Sequence, residues 1–107
     1  MRRVEMKRLG ITYLEKVLSN GMTVRVVPKP GFFRKYAFCA VDYGSIDTTF
    51  CLNGKTVHTP DGVAHYLEHK MFDLPDGNAM DRFAATGASP NAFTSYDMTA
   101  YYFSCTD

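Results

Sequence analysis

Short apolar runs separated by turn residues dominate the first half of the chain, and this pattern is typical of β-strands. Residues 13–18 and 22–27 flank an Asn-Gly dipeptide at positions 20 and 21, which suits a tight hairpin, and β-branched valines fill the second run. A third strand is predicted for residues 35–43. Polar residues and glycine fill residues 46–61, so we predict mostly loop there.

Between residues 62 and 73 the apolar positions switch to the three- and four-residue spacing of a helix. The predicted core-facing stripe consists of Val63, Ala64, Leu67 and Met71. Asp61 precedes the first turn and is the candidate cap, because its carboxylate can accept hydrogen bonds from the free amide groups of that turn. Tyr66, Lys70 and Asp73 form a second stripe that we expect to be more exposed, and His65, Glu68 and His69 share the third face.

A second helix and two further strands complete the pattern. The helix is predicted for residues 78–86, and the strands for residues 91–95 and 99–105, joined by a turn at positions 96–98. Together these elements predict an α+β fold, in which an antiparallel or mixed sheet is packed by helices. A chain of 107 residues has room for one modest core.

Composition and charge narrow the functional classes. Hydrophobic residues make up 46% and charged residues 21% of the chain, which is ordinary for a folded globular protein. A formal net charge of +1 provides no field that would attract nucleic acid or an anionic membrane. The sequence also lacks an apolar segment long enough to span a membrane. We therefore expect no nucleic-acid or membrane partner and a cytoplasmic location.

The cysteines do not indicate a redox or zinc-knuckle motif. Cys39, Cys51 and Cys105 are widely spaced and form no C-x-x-C pair. We expect three reduced thiols. Cys39 and Cys105 lie in predicted apolar strands, where a cysteine usually behaves as a small hydrophobic residue.

Two of the three histidines lie within the segment GVAHYLEHKMF, residues 62–72. Residues four apart on a helix lie one turn above each other, so His65 and His69 can reach one point. Neutral imidazole is a good zinc ligand, and Glu68 beside them can take a proton from a water molecule. The order H-x-x-E-H is the inverse of the H-E-x-x-H zinc-peptidase motif. The alternative is a helix with surface histidines and a solvated glutamate.

Other metal ligands are scarce in this sequence. His58 lies in the loop before the helix, and we expect it to be a solvent-exposed bystander. Asp73, Asp76 and Asp81 could serve as substitute ligands if another copy of the chain packs nearby. No physical argument ranks one of these aspartates above the others.

Two segments in order resemble the pitrilysin/insulinase-type zinc metallopeptidases, the inverzincin or M16-like family. GVAHYLEHKMF is similar to the family's G-x-A-H-x-x-E-H followed by an apolar pair. GASPNAFTSYDMTAYYF, residues 87–103, resembles its second signature, in which Asn-Ala-x-Thr is followed by an acidic residue, Thr and Tyr. The sequence departs from the common pattern at Lys70, where methionine is frequent, and at Asp73-Leu74.

The resemblance implies roles for particular residues. His65 and His69 would be zinc ligands, and Glu68 the general base. A peptide substrate would add as an extra strand to an edge strand beside the site. That edge strand would contain Asn91, Ala92, Phe93 and Thr94.

The resemblance also implies what lies elsewhere in such enzymes. Their third zinc ligand is a glutamate on a later helix, and further substrate contacts come from a second homologous half. Residues 1–107 are therefore expected to be the incomplete amino-terminal portion of a single zinc-peptidase domain. We expect little activity from this portion alone, and either self-association through unpaired strand edges or assembly with the second half.

Two functional hypotheses follow from the motif. The first is zinc-dependent hydrolysis of peptide bonds in the full-length enzyme. The alternative is a non-catalytic peptide-binding or assembly subunit of the same family. The intact set of His65, Glu68 and His69 favours the enzyme, because a site without function has no reason to keep all three. A metal site without peptidase chemistry is a third possibility.

Overall fold

The computed structural model describes residues 1–106, which divide into two compact units, Met1–Phe32 and the chain from Phe33 onward. The strands are β1 (Arg2–Met6), β2 (Ile11–Val17), β3 (Thr23–Val26), β4 (Lys35–Val41), β5 (Thr49–Leu52), β6 (Lys55–His58), β7 (Asp73–Leu74), β8 (Gly77–Asn78), β9 (Ser89–Thr94) and β10 (Thr99–Cys105). The helices are α1 (Val63–Met71) and α2 (Ala79–Ala85), and a 3-10 turn spans Lys7–Leu9. Neither α-helix is long and apolar enough to cross a membrane. Antiparallel sheets with two helices confirm the predicted α+β class.

The first unit is an antiparallel sheet in the order β1-β2-β3. The predicted hairpin of β2 and β3 is confirmed. The Leu18 N–H donates to the Met22 carbonyl at 2.8 Å, and Gly21 closes the loop with a φ of 85°. β1 was not predicted, because Val4 is the one apolar residue between Arg2 and Met6.

A carboxylate on the middle strand ties together the three strands of the first unit. Glu15 accepts hydrogen bonds from Arg25 at 2.8 Å and from Arg2 at 2.6 Å, one on each of its oxygens. The bond from Arg25, followed by that from Arg2, holds the pKa of Glu15 below its usual value. Because the folded state favours the ionised carboxylate, these bonds stabilise the fold at neutral pH. That stabilisation is lost as the pH falls through the folded-state pKa of Glu15.

The second unit is built on an antiparallel sheet in the order β4-β10-β9, with α1 and α2 packed on one face. Directly paired residues share a face, so Tyr101 lies on the same side as Cys39 and Ala92. Phe72 packs against Tyr101 with ring centroids 5.8 Å apart, and Phe83 packs against Phe103 at 5.2 Å. The residues buried most deeply in this unit are Ala64, Thr99 and Ala100.

The segment predicted to be mostly loop contains a β-hairpin, so that prediction is wrong for β5 and β6. Asn53 and Gly54 join the two strands with φ angles of 52° and 75°. Two successive positive φ values are the signature of a type I′ turn, for which Asn-Gly is the preferred dipeptide. The signal was therefore present in the sequence, but the surrounding polar residues obscured the strand pattern.

The two predicted helices and last two strands are present, with changes at their ends. α1 begins after Gly62, whose φ is 87°, and has no side-chain cap, so the prediction that Asp61 caps it is wrong. α2 is capped by Asn78, whose side chain accepts a hydrogen bond from the Met80 N–H at 2.8 Å.

Cys39 is exposed on β4 rather than packed in an apolar interior, whereas Cys105 is partly buried.

Gly44, which follows β4, lies close against the backbone of the turn between β9 and β10. A Cβ placed on Gly44 would lie 2.2 Å from the Tyr96 carbonyl oxygen and 2.5 Å from the Asp97 nitrogen. The neighbouring Ser45 N–H donates to the Ser95 carbonyl at 2.9 Å, and the Ile46 N–H donates to the Tyr96 carbonyl at 3.0 Å. No side chain fits between these two backbones.

Replacing Gly44 with alanine is therefore expected to lower the free energy of unfolding by about 3 kcal/mol or more, since backbone atoms cannot move aside as a flexible side chain does. The matched control is Gly54→Ala. A Cβ there meets no atom within 4 Å, and the expected cost comes only from the positive φ. Denaturant titration of both variants measures the difference. A loss for Gly44→Ala no larger than that for Gly54→Ala would contradict the packing argument.

Candidate metal centre

The first turn of α1 is set by a left-handed glycine. Gly62 adopts a φ of 87°, a value that residues with a side chain rarely adopt. Its carbonyl accepts a hydrogen bond from the Tyr66 N–H at 2.9 Å. The helix ends at Met71, and the Phe72 N–H closes the last turn on the His69 carbonyl at 3.2 Å. All three residues of the predicted H-x-x-E-H site therefore lie on one continuous helix.

The two imidazoles of this helix converge. The Nε2 atoms of His65 and His69 lie 3.0 Å apart, and the ring centroids are 4.9 Å apart. Both side chains are exposed, so the nitrogens are accessible from solvent. Such a pair can share a proton between one donor and one acceptor nitrogen, or both lone pairs can face one cation.

The separation of the two nitrogens fits zinc. Two nitrogens that each lie about 2.0–2.1 Å from one zinc ion, at angles of roughly 90–110°, are about 2.8–3.4 Å apart. The observed 3.0 Å lies within that range. Catalytic zinc sites usually have three protein ligands. Within residues 1–106, no group of three or more His, Cys, Asp and Glu side chains converges. Residues 1–106 therefore bring together two candidate zinc ligands.

The face of α1 that packs on the sheet differs in part from the one predicted. Leu67 and Met71 of the predicted core-facing stripe are 46% and 64% exposed, so the prediction is wrong for these two residues. The inward-facing positions are Ala64, which is buried, and Glu68 and Phe72, which are partly buried. A carboxylate is costly to bury without a partner. Here the Thr94 hydroxyl donates a hydrogen bond to Glu68 Oε2 at 2.5 Å.

The segment Asn91–Thr94 belongs to β9, which is an edge strand of its three-stranded sheet in the described part of the chain. α1 packs against this strand and against β10, so the edge lies beside the helix that carries the two histidines. The Ala92 N–H contacts the Asn91 side-chain oxygen at 2.8 Å. Sequence reasoning assigned Thr94 to substrate binding by resemblance and did not predict its bond to Glu68. The substrate-binding role of the four residues stays a prediction.

Tyr101 occupies the sheet surface beneath α1. Burial raises the pKa of its phenol, and the negative charges of Glu68 and, to a lesser extent, Cys39 act in the same direction. Its ring packs on Phe72.

The remaining candidate metal ligands are His58 and three aspartates. His58 is exposed at the end of β6, as expected, and its Nδ1 lies 3.0 Å from the Thr49 hydroxyl. Asp73 forms an ion pair with Lys70, and Asp76 forms one with Arg82. Asp81 lies in the first turn of α2.

Comparison with known proteins places these residues in a family. The model of the insulinase family, peptidase family M16, matches residues 53–107, which include α1, β9 and β10. An uncharacterized zinc protease of Bacillus subtilis, YmfH, is 49% identical over 105 residues, which cover 96% of this chain and 24% of YmfH. AlbF of Bacillus subtilis, also named as a zinc protease, is 34% identical over 99 residues, 91% of this chain and 22% of AlbF.

A solved structure agrees with these sequence matches. The crystal structure of a protein from Alicyclobacillus acidocaldarius, described as an M16-like peptidase, superimposes with a TM-score of 0.85 at 43% sequence identity. The match covers 97% of this chain and 24% of that protein, so the chain spans about a quarter of the length of the relatives it matches. With both a family model and a close structural match in agreement, the chain belongs to the insulinase family of peptidases, peptidase family M16.

Proposed function

We propose that this protein hydrolyses peptide bonds in a zinc-dependent reaction, with His65 and His69 as metal ligands and Glu68 as general base. The observation that carries the proposal is the 3.0 Å approach of the two Nε2 atoms on the same helix as Glu68. Bound zinc supplies Lewis-acid chemistry, which polarises the scissile carbonyl and makes a water molecule more acidic. Relatives that carry the name zinc protease support the choice of metal and reaction.

The two histidines and the glutamate have different tasks in this reaction. His65 and His69 present neutral imidazole nitrogens and keep them at a fixed separation, because both side chains extend from the same face one turn apart. Glu68 accepts a proton from the attacking water and returns it to the leaving amine. General acid–base catalysis of this kind contributes about 10²- to 10⁴-fold to the rate.

The edge strand β9 is the proposed site for the substrate backbone. Along Asn91, Ala92, Phe93 and Thr94, its outer edge can form main-chain hydrogen bonds with an extended peptide at every second residue, because the residues between direct their backbone groups to β10. Because backbone groups are the same in every peptide, this mode of binding would hold many sequences and leave selectivity to side-chain contacts. The proposed substrate class is therefore an extended peptide segment.

We expect the third zinc ligand to come from outside residues 1–106, since no third ligating side chain joins the two histidines there. The resemblance of the sequence to M16 peptidases favours a glutamate on a later helix and substrate contacts from a second homologous half. A cytoplasmic location and self-association through strand edges remain predictions.

The proposal is tested on protein expressed from its complete reading frame. We expect the purified protein to contain zinc and to cleave unstructured peptides, to lose cleavage when a chelator removes the metal, and to regain it when zinc is restored. Mass spectrometry of the peptide products and elemental analysis measure both properties. Zinc without any cleavage would favour a non-catalytic subunit, and absence of zinc binding would overturn the metal assignment.

A further inference from the structure

We infer that Thr94 is a positioning residue for the general base: its hydroxyl holds one oxygen of Glu68 so that the other oxygen faces the reacting water. This inference rests on the proposed function. It adds a task for Thr94 that differs from contact with the substrate, because it acts through the Glu68 side chain.

The hydrogen bond itself is the first argument. Thr94 Oγ1 lies 2.5 Å from Glu68 Oε2, across 26 residues of sequence, and the pair is partly buried. A hydroxyl bound to an ionised carboxylate makes a short, charge-assisted hydrogen bond, about twice as strong as a neutral one. The bond therefore links the helix of the proposed catalytic residue to the strand proposed to bind substrate.

Thr94 is a rigid donor, because the backbone around it is held on several sides. It is the last residue of β9 and pairs with Thr99, which is 4% exposed and whose hydroxyl donates to the Tyr43 carbonyl at 2.9 Å. The next residue, Ser95, donates its N–H to the Met98 carbonyl at 2.8 Å. A β-branched side chain also has few accessible χ1 rotamers.

A glutamate side chain has several rotatable bonds, so an unrestrained Glu68 would spend much of its time away from the reacting water. The helix fixes only its backbone. The bond from Thr94 restricts the side chain, yet it uses one acceptor site of a group that has about four. Oε1 therefore stays available to accept a proton. Small errors in the position of a catalytic group have large effects on rate.

The test compares three single variants of the protein expressed from its complete reading frame. In Thr94→Val the hydroxyl is lost but the branched shape is kept, and in Thr94→Ser the hydroxyl is kept. Thr56→Val, at an exposed threonine on β6, is the matched control. For Thr94→Val we expect kcat to fall about 10- to 100-fold, with KM changed less than about threefold and zinc content unchanged. Thr94→Ser should recover most of kcat, and Thr56→Val should match the wild type.

A second readout does not depend on activity. In crystals of the metal-free protein, we expect the Glu68 carboxylate to be ordered against residue 94 in the wild type and in Thr94→Ser, and displaced or disordered in Thr94→Val. If Thr94→Val does not fold, Thr94→Ala is compared with Thr94→Ser in the same two measurements.

The inference is overturned if Thr94→Val keeps kcat within about twofold of wild type, if KM rises while kcat is unchanged, or if the Glu68 carboxylate keeps its place without the hydroxyl. Failure of the proposed function has a different signature. In that case Glu68→Gln keeps full activity, or wild-type protein has no zinc-dependent cleavage at all.

Discussion

Replacing Glu68 with glutamine is expected to lower kcat for peptide hydrolysis by about 10²- to 10⁴-fold, the range that general acid–base catalysis contributes. Glutamine has the shape of glutamate, and its side-chain oxygen can still accept the hydrogen bond from Thr94. It cannot accept a proton at neutral pH. The fold and the bound metal should therefore remain while proton transfer is lost.

The measurement is steady-state hydrolysis of an unstructured peptide, with zinc content determined on the same preparation. Glu5→Gln is the matched control, because Glu5 is an exposed glutamate on β1. We expect this control to have wild-type kcat. Full activity in Glu68→Gln would show that another group removes the proton, and loss of zinc together with activity would show that Glu68 supports metal binding instead.

The second large effect is a loss of zinc affinity when either His65 or His69 is replaced. His65→Ala and His69→Ala should each weaken zinc binding by more than about 100-fold. Loss of a residue that only hydrogen-bonds to a metal ligand already lowers metal affinity by about 10- to 100-fold, and loss of the ligand itself should cost more. Each variant leaves one imidazole on the helix, and one nitrogen cannot reproduce the paired arrangement seen at 3.0 Å. Peptide hydrolysis should fall in parallel with metal occupancy.

Competition with a chromophoric chelator measures zinc affinity for each variant. His58→Ala is the control, because His58 is also exposed but contacts Thr49 on the neighbouring strand. It should bind zinc as the wild type does. If His58→Ala lost as much affinity as the other two variants, or if either of them kept wild-type affinity, the pairing of His65 and His69 at one metal would be wrong.

Elements with a strong local signal could be predicted from the sequence. α2 and β10 were predicted within one residue of their observed ends, because helical spacing and β-branched or aromatic runs are properties of short segments. β5 and β6 were missed although Asn53-Gly54 marks their turn, because polar residues around both strands obscured their pattern. The inward face of α1 was partly misassigned, because Leu67 and Met71 were expected to face the core and are exposed.

The sequence by itself determined the convergence of His65 and His69. Their spacing of four residues puts both rings on one helical face, whatever the helix packs against, and this is a local property of the backbone. Only the tertiary structure decided where Glu68 lies and what it contacts. The bond from Thr94 joins residues 26 positions apart, and it exists because β9 passes beneath α1 as the edge strand of the sheet. Strand order and helix orientation depend on packing between distant segments, so this partner of Glu68 became visible only in the folded chain.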